Sequence, residues 1–228
     1  MKRNYTSEIM DDFTIKDDRI DKVLKELKII NYILGGNSTS KTGINKVLKI
    51  IPGNCDIKIL DTGSGASDIL FTLKKVIKNI NIFSLDINIQ ACRFIRLNTS
   101  SSFNIICGNV FEFPFKNECN DIAHASLFLH HFPEDKIKDI LRNLINSSKY
   151  AVVINDLRRS IIAYWGIKVL TMFFSKSEMV KNDGPLSVKR AFVKKELLEM
   201  LNDLGIKRFL IKRKWAFRWL VIIYKNKI

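Results

Sequence analysis

The spacing of apolar residues changes period along the chain. Between residues 17 and 34 the apolar positions fall at helical spacing and end before Gly35-Gly36. From Lys58 onward, short apolar runs of strand length alternate with segments of helical period. We predict strands at residues 58–61, 81–86, 103–107, 121–126, 150–155, 208–212 and 219–224. Helices are predicted at 17–34, 42–51, 67–77, 88–98, 133–147 and 194–204.

Alternating strands and helices predict an α/β fold with a doubly wound, mainly parallel sheet. The sequence has no internal repeat and no low-complexity linker. We therefore expect one domain over residues 41–228, preceded by a helical extension over residues 1–40. Residues 158–192 are long for a connection between a strand and a helix, and such insertions often form lids or binding loops. Within them, residues 182–192 (NDGPLSVKRAF) predict a turn followed by the start of a helix.

Composition and cysteine spacing argue against a membrane-spanning, secreted or cysteine-ligated metal protein. Hydrophobic residues make up 46% and charged residues 27% of the chain, which is ordinary for a soluble globular protein. The first 18 residues have no apolar run behind their basic residues, so we expect no signal peptide. The most apolar stretch of the sequence, Ser160 to Ser175, is too short to span a bilayer, so we expect a cytoplasmic protein. The four cysteines form no CxxC pair and lie at no metal-ligand spacing with a histidine. They are expected to be reduced and mostly buried, and no metal is expected.

The positive charge is unevenly distributed. Residues 151–228 contain 17 basic and 6 acidic residues, and so carry +11 of the net charge of +15. One interpretation is a generally lysine-rich composition. The other is a basic surface that meets anionic lipid, nucleic acid or an acidic partner, and charge alone does not decide between them.

The strongest chemical signal follows the first predicted strand. The segment ILDTGSGASD places Asp61 at the strand end, then Gly63 and Gly65, then a helix start. Glycines permit a sharp turn and the close approach of a ligand, and a helix start offers unpaired N–H groups. A dinucleotide fingerprint would have its third glycine at position 68, which is Asp68. The negative charge of Asp61 would also repel a pyrophosphate. It would attract a ligand with an ammonium and a sulfonium group.

A second acid follows the next strand. Asp86 ends the predicted strand 81–86, where a carboxylate can accept hydrogen bonds from both hydroxyls of a ribose. The alternative is a solvated aspartate at a strand end, and the glycine motif makes the ribose role the favoured one.

These segments resemble motifs of a known family. Residues 59–68 with Asp86 are similar to the first two motifs of class I S-adenosylmethionine-dependent methyltransferases, and residues 107–110 (CGNV) with 113–115 (FPF) to the third. Residues 121–131 (DIAHASLFLHH) resemble the fourth strand and its continuation in the ubiquinone/menaquinone-methyltransferase-like branch. The resemblance implies a Rossmann-like, seven-stranded, mostly parallel sheet with an antiparallel last strand and extra N-terminal helices.

The resemblance also implies roles for individual residues. Asp61 and the Gly63/Gly65 backbone would hold the methionine end of S-adenosyl-L-methionine, and Asp86 would bind its ribose. Asn109, where aspartate is commoner, and Val110 would frame the adenine. The full set of implied cofactor-binding residues is Asp61, Gly63, Ser64, Gly65, Asp86, Ile87, Asn109, Val110 and Ser126.

Histidines near the end of the fourth strand are candidate general bases. His130 and His131 lie where a base could reach an acceptor hydroxyl, and His131 is the favoured one. The alternative is that one packs on the sheet while the other orients the next helix. His124, inside the strand, is expected to be structural. Asp156 and Arg158 are expected to form a local ion pair or to contact substrate.

The expected reaction is methyl transfer to a small, apolar acceptor. The favoured reaction is O-methylation of a phenolic, polyketide or quinone-like compound. Residues 161–174 are apolar and aromatic, so they could form a lid, an interfacial helix in peripheral contact with anionic lipid, or plain core. A nucleic-acid methyltransferase is disfavoured because the fourth strand lacks an Asn/Asp-Pro-Pro-aromatic motif for a flipped base. A non-catalytic, cofactor-binding or regulatory protein of the same fold remains the other alternative.

Overall fold

One seven-stranded sheet forms the centre of the protein in the computed structural model. The structure describes residues 1–12, 19–52, 56–66, 68–76, 79–98, 103–112 and 115–225. Within these residues the strands are β1 (Ile57–Thr62), β2 (Ile80–Asp86), β3 (Phe103–Cys107), β4 (Asn120–Ser126), β5 (Ser148–Leu157), β6 (Phe209–Lys214) and β7 (Arg218–Tyr224). Each overlaps a predicted strand, and most boundaries differ by one or two residues.

The strand order is β3-β2-β1-β4-β5-β7-β6. β1 pairs in parallel with β2 and β4, β3 with β2, and β5 with β4. β7 runs antiparallel to both of its neighbours, β5 and β6. The expected Rossmann-like sheet with an antiparallel last strand is therefore confirmed. Because β1, β2, β4 and β5 are parallel, their carboxyl ends share one edge of the sheet, called the ligand edge below.

Eight α-helices occur in the described part of the chain. They are α1 (Arg19–Ile33), α2 (Gly36–Leu48), α3 (Asp68–Val76), α4 (Ile89–Asn98), α5 (Glu134–Ser147), α6 (Ile161–Phe174), α7 (Glu178–Arg190) and α8 (Lys194–Asp203). None of the described helices is long and apolar enough to cross a membrane. The proposed division after residue 40 falls inside α2, and it stays a prediction.

Alternation along the strands produces two core layers. Ile59 of β1 points into a cluster with α2 and α3, which also contains Ile44, Leu70 and Leu220. Leu60, the next residue, points to the opposite face, where α5 and α8 pack. Successive strand residues face opposite sides of a sheet, so one apolar strand supplies both layers. The helices on both faces make the sheet doubly wound.

A third cluster lies at the ligand edge. Ile20, Val23 and Leu24 of α1 pack with Ala91 and Phe94 of α4 and with Met179 and Val180 of α7. The N-terminal segment (residues 1–12) also packs here, because Asp183 of α7 accepts hydrogen bonds from the N–H groups of Ile9 (2.9 Å) and Met10 (3.0 Å). The added N-terminal elements therefore cover the edge where a ligand would bind.

The insertion is more regular than its sequence indicates. Residues 158–192 contain two helices, α6 and α7. The turn and helix start predicted within residues 182–192 are wrong, because α7 begins at Glu178 and continues to Arg190. A side chain at Gly184 would approach Ile167 and Thr171 of α6 to 3.3 Å, so the glycine permits close helix packing. Tertiary contacts here outweigh the usual penalty of Gly-Pro inside a helix.

The described cysteines are free thiols, but the expectation that most are buried is wrong. Cys92 is buried, Cys107 is exposed and Cys119 is intermediate. Burial raises the pKa of the Cys92 thiol to about 12, which makes it unreactive at neutral pH. Cys55, together with the motif residues Ser67, Phe113 and Pro114, lies outside the described residues.

Candidate active site

The turn after β1 forms an open cradle of backbone. Gly63 and Gly65 have φ angles of +62° and +50°, which residues other than glycine rarely adopt. A Cβ on Gly63 would lie 2.0 Å from Cδ2 of Phe128, whereas one on Gly65 would meet no atom within 4 Å. The buried hydroxyl of Ser64 has no hydrogen-bond partner. The turn therefore leaves open space at Gly65 next to the unpartnered Ser64 hydroxyl, and a bound ligand could use both.

Asp61 joins a buried chain of polar side chains at the end of β1. Its Oδ1 accepts a hydrogen bond from Nδ1 of His124 (2.7 Å), and the His124 Nε2 lies 2.9 Å from the Ser40 hydroxyl. Asn155 donates to the Ser40 oxygen (2.9 Å) and to the hydroxyl of Ser126 (3.1 Å). This network fixes the orientation of the Asp61 carboxylate, and His124 has the structural position expected of it.

Asp86 lies at the end of β2, beside the cradle. Its two carboxylate oxygens accept the N–H groups of Gly65 (2.8 Å) and Asn88 (2.9 Å). Burial raises the pKa of this carboxyl, while the two N–H donors act in the opposite direction. Each carboxylate oxygen accepts more than one hydrogen bond, so Asp86 retains capacity for hydroxyl donors.

Asn109 and Val110 follow β3 at the same edge. The Asn109 Oδ1 accepts the N–H of Phe111 (3.0 Å), and its Nδ2 donates to Glu112 (3.3 Å). Val110 is buried and begins a short 3₁₀ helix. These bonds hold the Asn109 side chain against its own loop, and its oxygen keeps one acceptor position.

A single cavity of about 700 Å³ connects these groups. That volume is within the range of roughly 300–1,000 Å³ that is usual for small-molecule sites. All nine residues predicted to bind the cofactor line it: Asp61, Gly63, Ser64, Gly65, Asp86, Ile87, Asn109, Val110 and Ser126. Both candidate bases, His130 and His131, also line it. The structure therefore brings the nine predicted cofactor residues and both candidate bases to one cavity.

His130 is held by the buried carboxylate of Asp156, for which a different partner, Arg158, was considered from the sequence. The His130 Nδ1 lies 2.6 Å from Oδ1 of Asp156, whose Oδ2 accepts the N–H of Leu129 (3.0 Å). Burial would raise the pKa of Asp156, but the charge of His130 and its hydrogen bond outweigh burial and lower that pKa. The expected Asp156–Arg158 ion pair is wrong, because Arg158 instead lies over the Phe217 ring (5.0 Å).

His131 has its own carboxylate partner, from the N-terminal segment. The His131 Nδ1 lies 2.7 Å from Oδ1 of Asp11, and Arg190 donates to Oδ2 of Asp11 (2.8 Å). Burial would raise the pKa of Asp11, but the hydrogen bond and charge of His131 lower it to about 2. Asp11 is consequently ionised at neutral pH and accepts the hydrogen bond of His131 Nδ1, so Nε2 is the ring nitrogen that is not bound to Asp11.

Glu8 lies between the two histidines. Its Oε1 is 3.7 Å from Nε2 of His130 and 3.9 Å from Nδ1 of His131, and this oxygen has no hydrogen-bond partner. Burial raises the pKa of Glu8 to about 7, although the charges of His131 and Arg190 oppose the shift. Glu8 and Asp11 could not be predicted from the sequence, because they lie about 120 residues before the histidines with no motif around them.

Comparison with known proteins identifies the domain. Residues 59–149, which contain the cradle, Asp86 and both histidines, match the family described as "Methyltransferase domain". The chain carries a class I S-adenosylmethionine-dependent methyltransferase domain. The methyltransferase class and the cofactor expected from the sequence are thereby confirmed. No curated protein matches the chain by sequence.

Solved structures share the fold of this methyltransferase. The plantazolicin methyltransferase BpumL, in complex with SAH, superposes with a TM-score of 0.69 at 15% identity, covering 94% of this chain and 93% of that one. Magnesium protoporphyrin IX methyltransferase from Synechocystis PCC 6803, with bound SAM, gives 0.56 at 12% identity over 85% and 81%. A SAM-dependent methyltransferase from Aquifex aeolicus gives 0.56 at 17% over 79% and 88%. These identities establish similarity of fold only, and the ubiquinone/menaquinone-like branch stays a prediction.

Proposed function

We propose that this methyltransferase transfers a methyl group to an oxygen atom of a small, apolar acceptor. The observation that carries the proposal is the single cavity, in which the cofactor cradle and two carboxylate-held histidines meet apolar walls. Leu24 and Leu27 of α1, Ile167 and Leu170 of α6 and Val188 of α7 supply those walls. A phenolic, polyketide or quinone-like compound has the matching chemistry.

The cradle residues provide the cofactor end of the cavity. Asp86 would accept the ribose hydroxyls, beside Ile87, while Asn109 and Val110 would frame the adenine. Asp61, held by His124, would attract the ammonium of the methionine part, with the Gly63–Gly65 backbone and the Ser64 hydroxyl around it. Ser126, at the end of β4, would lie beside the transferred methyl. The unpartnered Ser64 hydroxyl and the open space at Gly65 support this assignment.

His131 is the residue proposed to take the acceptor proton. With Nδ1 bound to Asp11, Nε2 is the nitrogen left to accept a proton, and the ring is more accessible (22% exposed) than that of His130 (2%). His130 would act as a positioning residue, held between Asp156 and Glu8. Ionised Asp11 would stabilise the imidazolium that forms on His131.

S-adenosylmethionine supplies an electrophilic methyl group on a positively charged sulfur. Held by Asp61 and Asp86, this donor would supply the methyl carbon to a lone pair of the acceptor oxygen. It would leave as S-adenosylhomocysteine, with the electrons of the carbon–sulfur bond on sulfur. The hydroxyl proton moves to Nε2 of His131 and later to water. The chain contributes by aligning the two reactants and excluding solvent, since in-line approach supplies much of the rate enhancement.

Release of S-adenosylhomocysteine from purified protein tests the proposal. The protein would be incubated with S-adenosylmethionine and a panel of phenols, hydroquinones and pyrones, with RNA and DNA duplexes in parallel. We expect turnover with at least one apolar hydroxyl compound, and a decrease in kcat of roughly 10²–10⁴-fold in His131→Asn with cofactor affinity retained. Methylation of nucleic acid alone would replace the proposed acceptor, in keeping with the basic last third of the chain. An unchanged kcat in His131→Asn would remove the general base.

A further inference from the structure

Helix α6 has two apolar faces, and only one of them lines the cavity. Ala163, Gly166, Ile167, Leu170 and Thr171 face the cavity. The opposite face is exposed to solvent and carries Ile161, Ile162, Trp165, Val169, Met172 and Phe173, with exposed fractions between 49% and 71%. Phe174, the last residue of the helix, is 81% exposed. A surface helix normally places polar residues on its outer face. The outer face of α6 is the reverse of that pattern.

Neighbouring elements also expose apolar residues. Ser175 and Lys176, just after α6, hydrogen-bond to Glu26 in the middle of α1. Before α6, Arg158 N–H donates to Phe217 O (2.8 Å), and Ala216 N–H donates to Leu34 O (3.1 Å) just after α1. These contacts place the end of α1 and residues 215–217 near the start of α6. Ile29, Tyr32 and Ile33 of α1 and Trp215 (74% exposed) are exposed apolar residues of these elements.

The charges on α6 and directly after it are positive. α6 contains no acidic residue, and its one charged residue is Lys168, whose ammonium lies 5.0 Å from the ring centre of Trp165. Lys176 follows the helix and is exposed. Lysines beside exposed aromatic residues are the features of a helix that lies in the interface of an anionic bilayer. With 14 residues, α6 is shorter than the roughly 20 residues needed to span a bilayer, so its axis would lie parallel to the surface.

We propose that the outer face of α6, with the end of α1 and Trp215, docks on anionic lipid bilayers. α6 then separates the lipid from the cavity, and its inner face lines the space proposed for an apolar acceptor. Such an acceptor would partition into the same bilayer. The docking itself requires neither cofactor nor acceptor, so it goes beyond the proposed reaction and is tested without it.

Binding of the full chain to lipid vesicles tests the proposal. Vesicles of phosphatidylcholine with and without phosphatidylglycerol would be used in flotation, and tryptophan emission would report insertion. We expect binding to the anionic vesicles, a blue shift that is reduced in Trp165→Phe, and weakening at high salt. The double variant Phe173→Ser/Phe174→Ser should weaken binding by about tenfold or more. Leu97→Ser is the matched control, because Leu97 is equally exposed (82%) but ends α4 at the opposite edge of the sheet.

The lysines provide a second, independent arm. Lys168→Gln/Lys176→Gln should lower affinity for anionic vesicles by about fivefold per lysine. Lys58→Gln/Lys207→Gln removes two exposed lysines near the starts of β1 and β6, at the opposite edge, and should have little effect. Absence of binding to anionic vesicles, or equal loss in the test and control variants, would overturn the proposal. A dimer that buries the α6 face and does not bind vesicles would overturn it in favour of a second copy of the chain.

Discussion

The buried carboxyl of Glu8 should make the stability of the protein depend on pH. Its side chain is 6% exposed and burial raises its pKa from an ordinary value near 4.5 to about 7. A raised folded-state pKa means that the folded state binds the proton more tightly than the unfolded chain does. Its stabilising effect is fully present below pH 4.5 and is lost as the pH rises through 7. Between pH 5 and pH 8 this loss amounts to about 2.5 kcal/mol of the free energy of unfolding.

Glu8→Gln isolates that contribution, because glutamine has the same shape and does not ionise. The free energy of unfolding would be measured by urea denaturation at pH 5 and pH 8 for both proteins. We expect Glu8→Gln to gain about 2 kcal/mol relative to the parent protein between these two values of pH. Measuring the difference between the two proteins removes the contributions of other titrating groups.

Asp11→Asn is the matched control in the same cluster. Its folded pKa, lowered to about 2, gives stability that is present above pH 4 and is lost only as the pH falls through 2. Asp11→Asn should therefore be less stable than the parent by a similar amount at pH 5 and pH 8. If the free energy of unfolding changed with pH in the same way in the parent and in Glu8→Gln, the raised pKa of the buried Glu8 carboxyl would be refuted.

Three further predictions concern the cradle, the polar network and the core. Gly63→Ala places a methyl group against Phe128 and should weaken S-adenosylmethionine binding more than tenfold, as measured by calorimetry. Gly205→Ala is the control, because Gly205 also has a positive φ (+67°) but open space around it; it should lower the free energy of unfolding by about 1 kcal/mol and leave binding unchanged. Ser40→Ala removes a shared partner of His124 and Asn155, and should lower the free energy of unfolding by roughly 1–3 kcal/mol; no loss would mean that the network is replaceable by water. Leu144→Ala, at a fully buried position of α5, should cost roughly 2–5 kcal/mol in the same denaturation assay, and a cost below 1 kcal/mol would contradict the packing described for that layer.

Local patterns explain why the cofactor end of the site could be predicted from the sequence. Asp61, Gly63 and Gly65 occupy adjacent positions, and Asp86 follows the next strand, so parallel pairing alone brings them to one edge. The same holds for His130 and His131 after β4. Short apolar runs predicted each of the described strands. For the central parallel strands the reason is that buried parallel strands are mostly apolar.

The acceptor end depended on contacts that no local pattern specifies. Glu8 and Asp11 reach the histidines because tertiary contacts, among them those of Asp183 and Arg190 of α7, bind the N-terminal segment. Asp156 was identified as a site residue, but its partner was assigned to a sequence neighbour instead of His130, 26 residues earlier. α7 itself contradicts the turn signal of its Gly184-Pro185 pair. Each case is a tertiary contact that outweighs local preference.

Calorimetric titration with S-adenosylmethionine tests most directly whether the cavity at the ligand edge is a methyl-donor site. We predict micromolar binding that is lost in Asp86→Ala and retained in Asp121→Ala. The Asp121 carboxylate accepts the Lys58 N–H (2.8 Å) at the opposite edge of the sheet. S-adenosylhomocysteine should compete for the same site. Failure of well-folded protein to bind S-adenosylmethionine, or equal affinity in Asp86→Ala, would contradict the account.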